Sequence, residues 1–161
     1  VELGGGLIAA PFLDDRADLL AMLLHFANGG PRPGVLYAAT AAEEVGGEGA
    51  QWILGRVRPE VCVALELSPI VPDAPLPLDA VPAAWVTDGY AAMSQADGDL
   101  LAEIEPEIGW QALSRGGSDA SCAAAAGLVA RPITLGLPME NSHGLEVMHR
   151  DAPSRLATLL G

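Results

Sequence analysis

The sequence is short of cysteine, of basic residues and of long apolar runs, and each shortage excludes a class of protein. Cys62 and Cys122 are its only cysteines, and without Cys-x-x-Cys spacing they indicate neither a disulfide framework nor a cysteine-ligated zinc. The sequence has only 8 basic residues but 21 acidic ones, and the resulting formal charge of −13 argues against nucleic acid as a partner. No apolar run approaches the roughly 20 residues of a membrane span, and no signal-peptide pattern is present. We therefore expect a cytoplasmic protein without a membrane partner.

Aromatic residues are also scarce, at 4% of a chain that is 50% hydrophobic. Small aliphatic side chains must therefore build the core, which favours close packing of helices against a sheet. A length of 161 residues is that of one compact domain. The chain opens at Val1 without an initiator Met, so we expect residues 1–161 to be part of a longer protein.

Predicted strands and helices alternate along the chain. Short apolar runs predict strands, and apolar residues at helical spacing between capping and breaking residues predict helices. A proline-rich stretch at residues 69–82 is expected to lie on the surface, because proline cannot donate to a sheet interior. Such alternation predicts a three-layer α/β/α fold with a mainly parallel mixed sheet. The predicted strands are residues 7–13, 35–41, 61–67, 84–87, 109–113 and 133–137, and the predicted helices are 15–28, 48–57, 97–104, 119–126 and 151–160.

Acidic residues and one histidine lie where several predicted strands end. Asp14 follows the first strand, Glu43 and Glu44 follow the second, Glu66 ends the third, and His143 lies in a late loop. The carboxyl ends of parallel strands meet at one edge of a sheet, so these side chains are expected to converge. Several carboxylates with an imidazole suit two divalent cations that share a ligand. In an adjacent Glu pair, one residue can bind metal while the other handles a proton.

Each of these residues also has a simpler structural interpretation. Asp14 and Asp15 immediately precede a helix, where Asp is favoured as a cap and by the helix dipole. The Glu pair could be an acidic turn, and Glu66 an exposed strand end. His25, within the first helix, is expected to be a packed or surface side chain, and His149 competes with His143 for the role of ligand.

Five segments in this order resemble the glutamyl, or tetrahedral, aminopeptidase family of di-zinc exopeptidases. They are Phe-Leu-Asp-Asp-Arg at 12–16, Ala-Glu-Glu-Val-Gly at 42–46, Gly-Ala at 49–50, Gly-Gly-Ser-Asp-Ala at 116–120 and Ser-His-Gly at 142–144. The resemblance runs over almost the whole chain. It implies a cytoplasmic exopeptidase that depends on zinc or cobalt and removes N-terminal residues from peptides with a free N-terminus. It further implies that the full-length protein is a homo-oligomer.

The resemblance also assigns roles to particular residues. It implies that Asp14 bridges two metals, that Glu44 and His143 complete one metal site, and that Glu66 belongs to the other. Glu43 would be the general base, acting on a bridging water held by the two metals.

The glycine-rich segment near the middle of the chain is similar to the family's Gly-Gly-Thr-Asp loop. Its small residues, Gly116, Gly117 and Ser118, would let the backbone approach the substrate, and Asp119 is expected to cap the following helix. The neighbouring Arg115 could favour acidic N-terminal residues by charge pairing.

The sequence departs from the family's pattern in two respects. Family members usually carry Asp at the position of Glu66. The family's first His ligand, a nearby Asp and an inserted dimerisation domain all lie upstream of the Leu-Asp-Asp-Arg motif and are not found here. We therefore expect residues 1–161 to be the C-terminal portion of a catalytic domain, with one complete metal site (Asp14, Glu44, His143) and one deficient site (Asp14, Glu66).

A deficient site makes weak or absent activity the expectation for this chain alone. Two further interpretations remain open. One is a non-catalytic relative that serves in assembly or binding, and the other is an amidohydrolase or deacylase with the same metal centre. Only an aminopeptidase requires a free amine on its substrate, so blocked and unblocked substrates distinguish it from the deacylase.

Overall fold

Seven strands and five helices make up the computed structural model, which describes all of residues 1–161. None of the helices has the length and apolar character needed to cross a membrane. The elements in chain order are β1 (Glu2–Gly4), β2 (Leu7–Pro11), α1 (Leu13–Gly29), α2 (Glu48–Val57), β3 (Val61–Pro69), β4 (Ala83–Thr87), α3 (Gln95–Ile104), β5 (Gly109–Ala112), α4 (Asp119–Ala125), β6 (Arg131–Glu140), β7 (Leu145–His149) and α5 (Ala152–Leu159).

All seven strands form one mixed sheet. Its order is β1-β2-β7-β6-β4-β5, and β3 pairs with β6. The longest pairing, β3 with β6, is parallel, as is β4 with β5, whereas the remaining pairings are antiparallel. The predicted α/β fold with a mixed sheet is thus confirmed. The sheet contains more antiparallel pairings than the strand–helix alternation indicates, because β1 and β7, which are not predicted, both pair antiparallel, and because β4 pairs antiparallel with β6.

Helices cover both faces of the sheet. On β6, Leu135, Leu137 and Met139 point into a core cluster with α1 and α5. The intervening Thr134 points to the other face, where its hydroxyl lies 2.7 Å from that of Ser118 at the start of α4. Helix α2 packs against α4 in a second cluster. Alanines supply much of the helix surface at these contacts, which lets the helices approach the sheet closely; they are Ala17, Ala21, Ala50, Ala123 and Ala152.

One predicted strand is absent. Residues 35–41 form no strand, and the side chains of Val35 and Leu36 are about half exposed. An apolar run becomes a strand only when a neighbouring strand satisfies its backbone N–H and C=O groups, and none of the seven strands pairs with residues 35–41. The loop with Glu43 and Glu44 therefore follows an unpaired segment. Strand β3 extends to Pro69, so Glu66 lies within that strand and not at its end.

Candidate active site

Asp14 lies at the junction between β2 and α1. The strand ends at Pro11, and Phe12 turns the chain with a left-handed backbone (φ 60°) before α1 begins at Leu13. Phe12 offers no side-chain cap to the helix. The peptide bond between Asp14 and Asp15 is cis. The turn at Phe12 directs the Asp14 side chain, which is largely buried, towards the loop after β6.

His143 lies in the tight turn that joins β6 to β7. The turn spans residues 141–144, and the Gly144 N–H donates to the Asn141 carbonyl at 2.8 Å. His143 has a left-handed backbone (φ 64°), a conformation that non-glycine residues adopt rarely. Its Nε2 lies 3.6 Å from Oδ2 of Asp14 and 3.3 Å from Oε1 of Glu44. The structure therefore brings together the three residues predicted to form one metal site.

The loop at residues 42–47 separates the two adjacent glutamates. Its backbone is left-handed at Ala42, and the N–H groups of Gly46 and Gly47 both donate to the Glu43 carbonyl at 2.9 Å. Glu44 is exposed and reaches His143, whereas Glu43 is half-buried. Burial, followed by the negative charges of nearby carboxylates, raises the pKa of Glu43 to about 7. A carboxyl group with this pKa can both accept and return a proton near neutral pH.

A second group of carboxylates lies on the inner side of Asp14. Oxygen atoms of Asp14, Asp15 and Glu66 all lie within 4.8 Å of one another. Burial, together with the neighbouring negative charges, raises the pKa of Asp14 to about 6 and that of Glu66 to about 9. Behind them, Asp18 is fully buried and neither of its carboxylate oxygens has a hydrogen-bond partner. Burial and the charge of Asp15 hold the pKa of Asp18 well above its usual range.

The chemistry of these donors fits divalent cations. Two groups of ligand atoms share Asp14, one of them with an imidazole and the other made of carboxylates alone. Buried carboxylates without a positive partner are energetically unfavourable, and cations are the usual compensation. Sequence reasoning named Asp14, Glu44, Glu66 and His143 as ligands. It left out Asp18 and gave Asp15 no ligand role, because an acid at the start of a helix is usually a cap or a solvated residue.

The glycine-rich loop at residues 116–119 lies close to the acidic cluster. Ser118 is fully buried and caps α4: its hydroxyl accepts the Ser121 N–H at 3.2 Å, in a capping box. The expectation that Asp119 caps this helix is therefore wrong, because the serine hydroxyl already occupies that position. Asp119 instead accepts a hydrogen bond from the Thr40 hydroxyl at 2.6 Å. That bond ties the glycine-rich loop to the segment that leads into Glu43.

The other two histidines lie outside this cluster. His25 is buried in α1, and its Nε2 lies 3.0 Å from the Tyr37 hydroxyl, so it is the packed one of the two predicted alternatives. His149 lies on β7 beside Gly6, and its nearest acid is Asp151 at 3.9 Å. Of the two candidate histidines, His143 is thus the one that lies beside the other predicted ligands.

Comparison with known proteins identifies the class to which this fold and cluster belong. The family model of the M42 glutamyl aminopeptidases matches residues 1–159, and the chain belongs to that family. No curated protein matches the sequence significantly.

Three solved structures of archaeal peptidases share the fold. The TET aminopeptidase of a marine-sediment Thaumarchaeota archaeon is 20% identical, with a TM-score of 0.86, over 99% of this chain and 49% of its own. The aminopeptidase of Desulfurococcus kamchatkensis is 24% identical, with a TM-score of 0.80, over 99% of this chain and 49% of its own. The TET1 peptidase of Pyrococcus horikoshii is 22% identical, with a TM-score of 0.81, over 98% of this chain and 50% of its own. The chain thus spans about half the length of these relatives.

Proposed function

We propose that this chain carries the C-terminal part of the catalytic domain of a metal-dependent aminopeptidase. The observation that carries the proposal is the pair of ligand groups that share Asp14, beside a half-buried Glu43 whose pKa is raised to about 7. Family membership supports peptide hydrolysis, and the donor chemistry supports two divalent cations. Carboxylates with one imidazole suit zinc, cobalt or manganese, and zinc or cobalt is the proposed metal because the family resemblance implies it.

The residues of the cluster have different proposed roles in hydrolysis. Asp14 would hold both cations, with Glu44 and His143 completing one site and Glu66 contributing to the other. When bound, the cations would supply Lewis-acid polarisation of the scissile carbonyl and a water of lowered pKa. Glu43 would accept the proton of the attacking water and pass it to the departing amine. The pKa of about 7 is that of the metal-free chain, and bound cations would lower it, which favours the carboxylate form of Glu43 that accepts a proton.

The acidic surroundings also favour a substrate with a free N-terminus. The free terminal amine of a peptide would bind at the metal centre that these carboxylates hold, whereas an N-acylated peptide has no such amine. The loop at residues 116–119 is the proposed wall of the substrate site. Its backbone is accessible at Gly116, where a left-handed conformation (φ 76°) favours glycine.

Assembly and location are proposed on the same basis. The P. horikoshii TET1 peptidase can assemble into a tetrahedron or a large octahedral shell. We propose that the full-length protein is likewise a homo-oligomer, and that it acts on peptides in the cytoplasm.

Activity should be tested on the full-length gene product, incubated with zinc or cobalt. The assay measures release of N-terminal residues from a panel of free peptides and from the same peptides N-acetylated. The proposal predicts release from the free peptides alone. Hydrolysis of the acetylated peptides would indicate a deacylase, and no hydrolysis with any metal would indicate a non-catalytic relative.

A further inference from the structure

Glu146 is a deeply buried acid beside the candidate site, and the sequence alone does not reveal it. It lies on β7 opposite Ala10 of β2, in the antiparallel pair that places the β6–β7 turn beside the start of α1. Side chains alternate between the two faces of a strand, and here the polar residue takes the inner face. Glu146 is 2% exposed, whereas its apolar neighbour Leu145 is 59% exposed. A carboxylate is buried in place of an apolar neighbour only where specific polar groups bind it, so this inverted pattern indicates such partners in the interior.

Three backbone N–H groups donate to the Glu146 carboxylate. Oε2 accepts from Leu13 at 2.6 Å and from Asp14 at 3.1 Å, and Oε1 accepts from His143 at 3.1 Å. No basic side chain forms a salt bridge with Glu146, so these three hydrogen bonds are the interactions that stabilise its carboxylate. One carboxylate therefore connects the two loops that carry Asp14 and His143, whose side chains lie 3.6 Å apart.

The local backbone explains why both loops need such a partner. Leu13 and Asp14 precede the regular part of α1, because Asp14 and Asp15 have non-helical backbone angles, and Phe12 supplies no side-chain cap to this segment. Their N–H groups therefore need partners from elsewhere in the chain. His143 is held in a left-handed conformation, which persists in proteins only where surrounding contacts maintain it. Glu146 accepts the N–H groups of Leu13 and Asp14 with one carboxylate oxygen and the His143 N–H with the other.

We propose that Glu146 is a positioning residue, which sets the separation of Asp14 and His143 for a shared cation. The inference rests on the proposed function, in which these two residues bind the same metal. Replacement by Gln keeps the size of the side chain but leaves only one acceptor oxygen. The amide oxygen can serve Leu13 and Asp14, and the NH₂ group then faces the His143 N–H, donor against donor. That contact should displace the His143 turn.

Cobalt titration of this chain, followed by calorimetry and by the visible absorption of bound Co²⁺, tests the inference. Glu146→Gln should weaken Co²⁺ binding about 10-fold, the usual effect of removing a group that orients a ligand, and should alter the Co²⁺ spectrum. In a His143→Ala background the same replacement should change affinity less than about threefold, because the ligand whose position it sets is gone. Glu105→Gln is the matched control, since Glu105 is a largely buried acid that pairs with Arg155.

The outcomes separate this inference from the proposed function. If His143→Ala leaves Co²⁺ affinity unchanged, the proposed metal site itself is wrong. If His143→Ala weakens binding but Glu146→Gln does not, only the positioning role is overturned. An equal loss in both backgrounds, or an equal loss in Glu105→Gln, would indicate general destabilisation and would also overturn it. Should Glu146→Gln not fold, Glu146→Asp shortens the side chain by one methylene and is compared in the same way.

Discussion

Replacement of Glu66 by Gln should stabilise the metal-free chain while weakening its binding of cations. Glu66 is 8% exposed, and it lies beside Asp15, Glu43 and Asp14, whose charges oppose its ionisation. Burial and these charges raise its pKa from 4.5 to about 9. Folding at neutral pH therefore forces the group to take up a proton that it has released in the unfolded chain.

The pKa shift of Glu66 determines both the size and the sign of the effect. Because the folded chain keeps the proton between pH 4.5 and about 9, its stability falls as the pH rises through that range. The loss is about 1.4 kcal/mol per pH unit, or about 3 kcal/mol at pH 7, and Glu66→Gln should recover it. Below pH 4.5 the variant and the wild type should be equally stable, because Glu66 is then protonated in both folded and unfolded chains.

Urea unfolding of the metal-free chain at pH 4, 7 and 8 measures this effect directly. Glu103→Gln, an exposed Glu→Gln replacement, is the control and should leave the pH dependence as it is. A calorimetric titration with Co²⁺ should show weaker binding by Glu66→Gln. A Glu66→Gln variant that is no more stable than the wild type at pH 7, or that has the same pH dependence, would refute the predicted shift.

Three further replacements have distinct expected outcomes. In the proposed full-length aminopeptidase, Glu43→Gln should reduce peptide hydrolysis by about 10²–10⁴-fold with metal binding retained, and calorimetry beside a rate assay would show whether only the proton-transfer step is lost. Ser118→Ala should lower the free energy of unfolding by about 1–2 kcal/mol, because it removes a helix cap and a buried hydroxyl pair, whereas the exposed Ser114→Ala should leave it unchanged in the same denaturation assay. Arg115→Ala should selectively slow release of N-terminal Glu and Asp, and an equal effect on leucine peptides would rule out charge pairing as the cause.

The sequence predicted the fold well wherever local patterns determine structure. The helices α2, α3 and α5 carry apolar residues at helical spacing and were placed within two residues, because propensity, capping and burial agree there. Residues 35–41 were wrongly predicted as a strand, since their apolar character is real but the pairing that makes a strand is tertiary. Strand β7 was missed for the converse reason: Glu146 interrupts its apolar alternation, and only the register with β2 shows that this acid points inward.

In the candidate site, too, the sequence predicts the residues that lie in local motifs and misses those whose environment depends on tertiary packing. Asp14, Glu43, Glu44 and His143 are predicted from short segments that resemble the family, because the spacing within each motif can be read directly from the sequence. The buried carboxylates of Asp15 and Asp18 were given no ligand role, since an acid near a helix start is ordinarily solvated. That their oxygens are buried depends on how α1 packs against β3, which no local pattern records.

Calorimetric titration of Co²⁺ or Zn²⁺ into this chain and into its His143→Ala variant tests the central claim most directly. The account predicts one tight site, formed by Asp14, Glu44 and His143, together with weaker binding at Asp14 and Glu66. His143→Ala should abolish the tight site and leave the weaker one. Two equally tight sites in the unaltered chain, or a tight site that survives His143→Ala, would contradict the account.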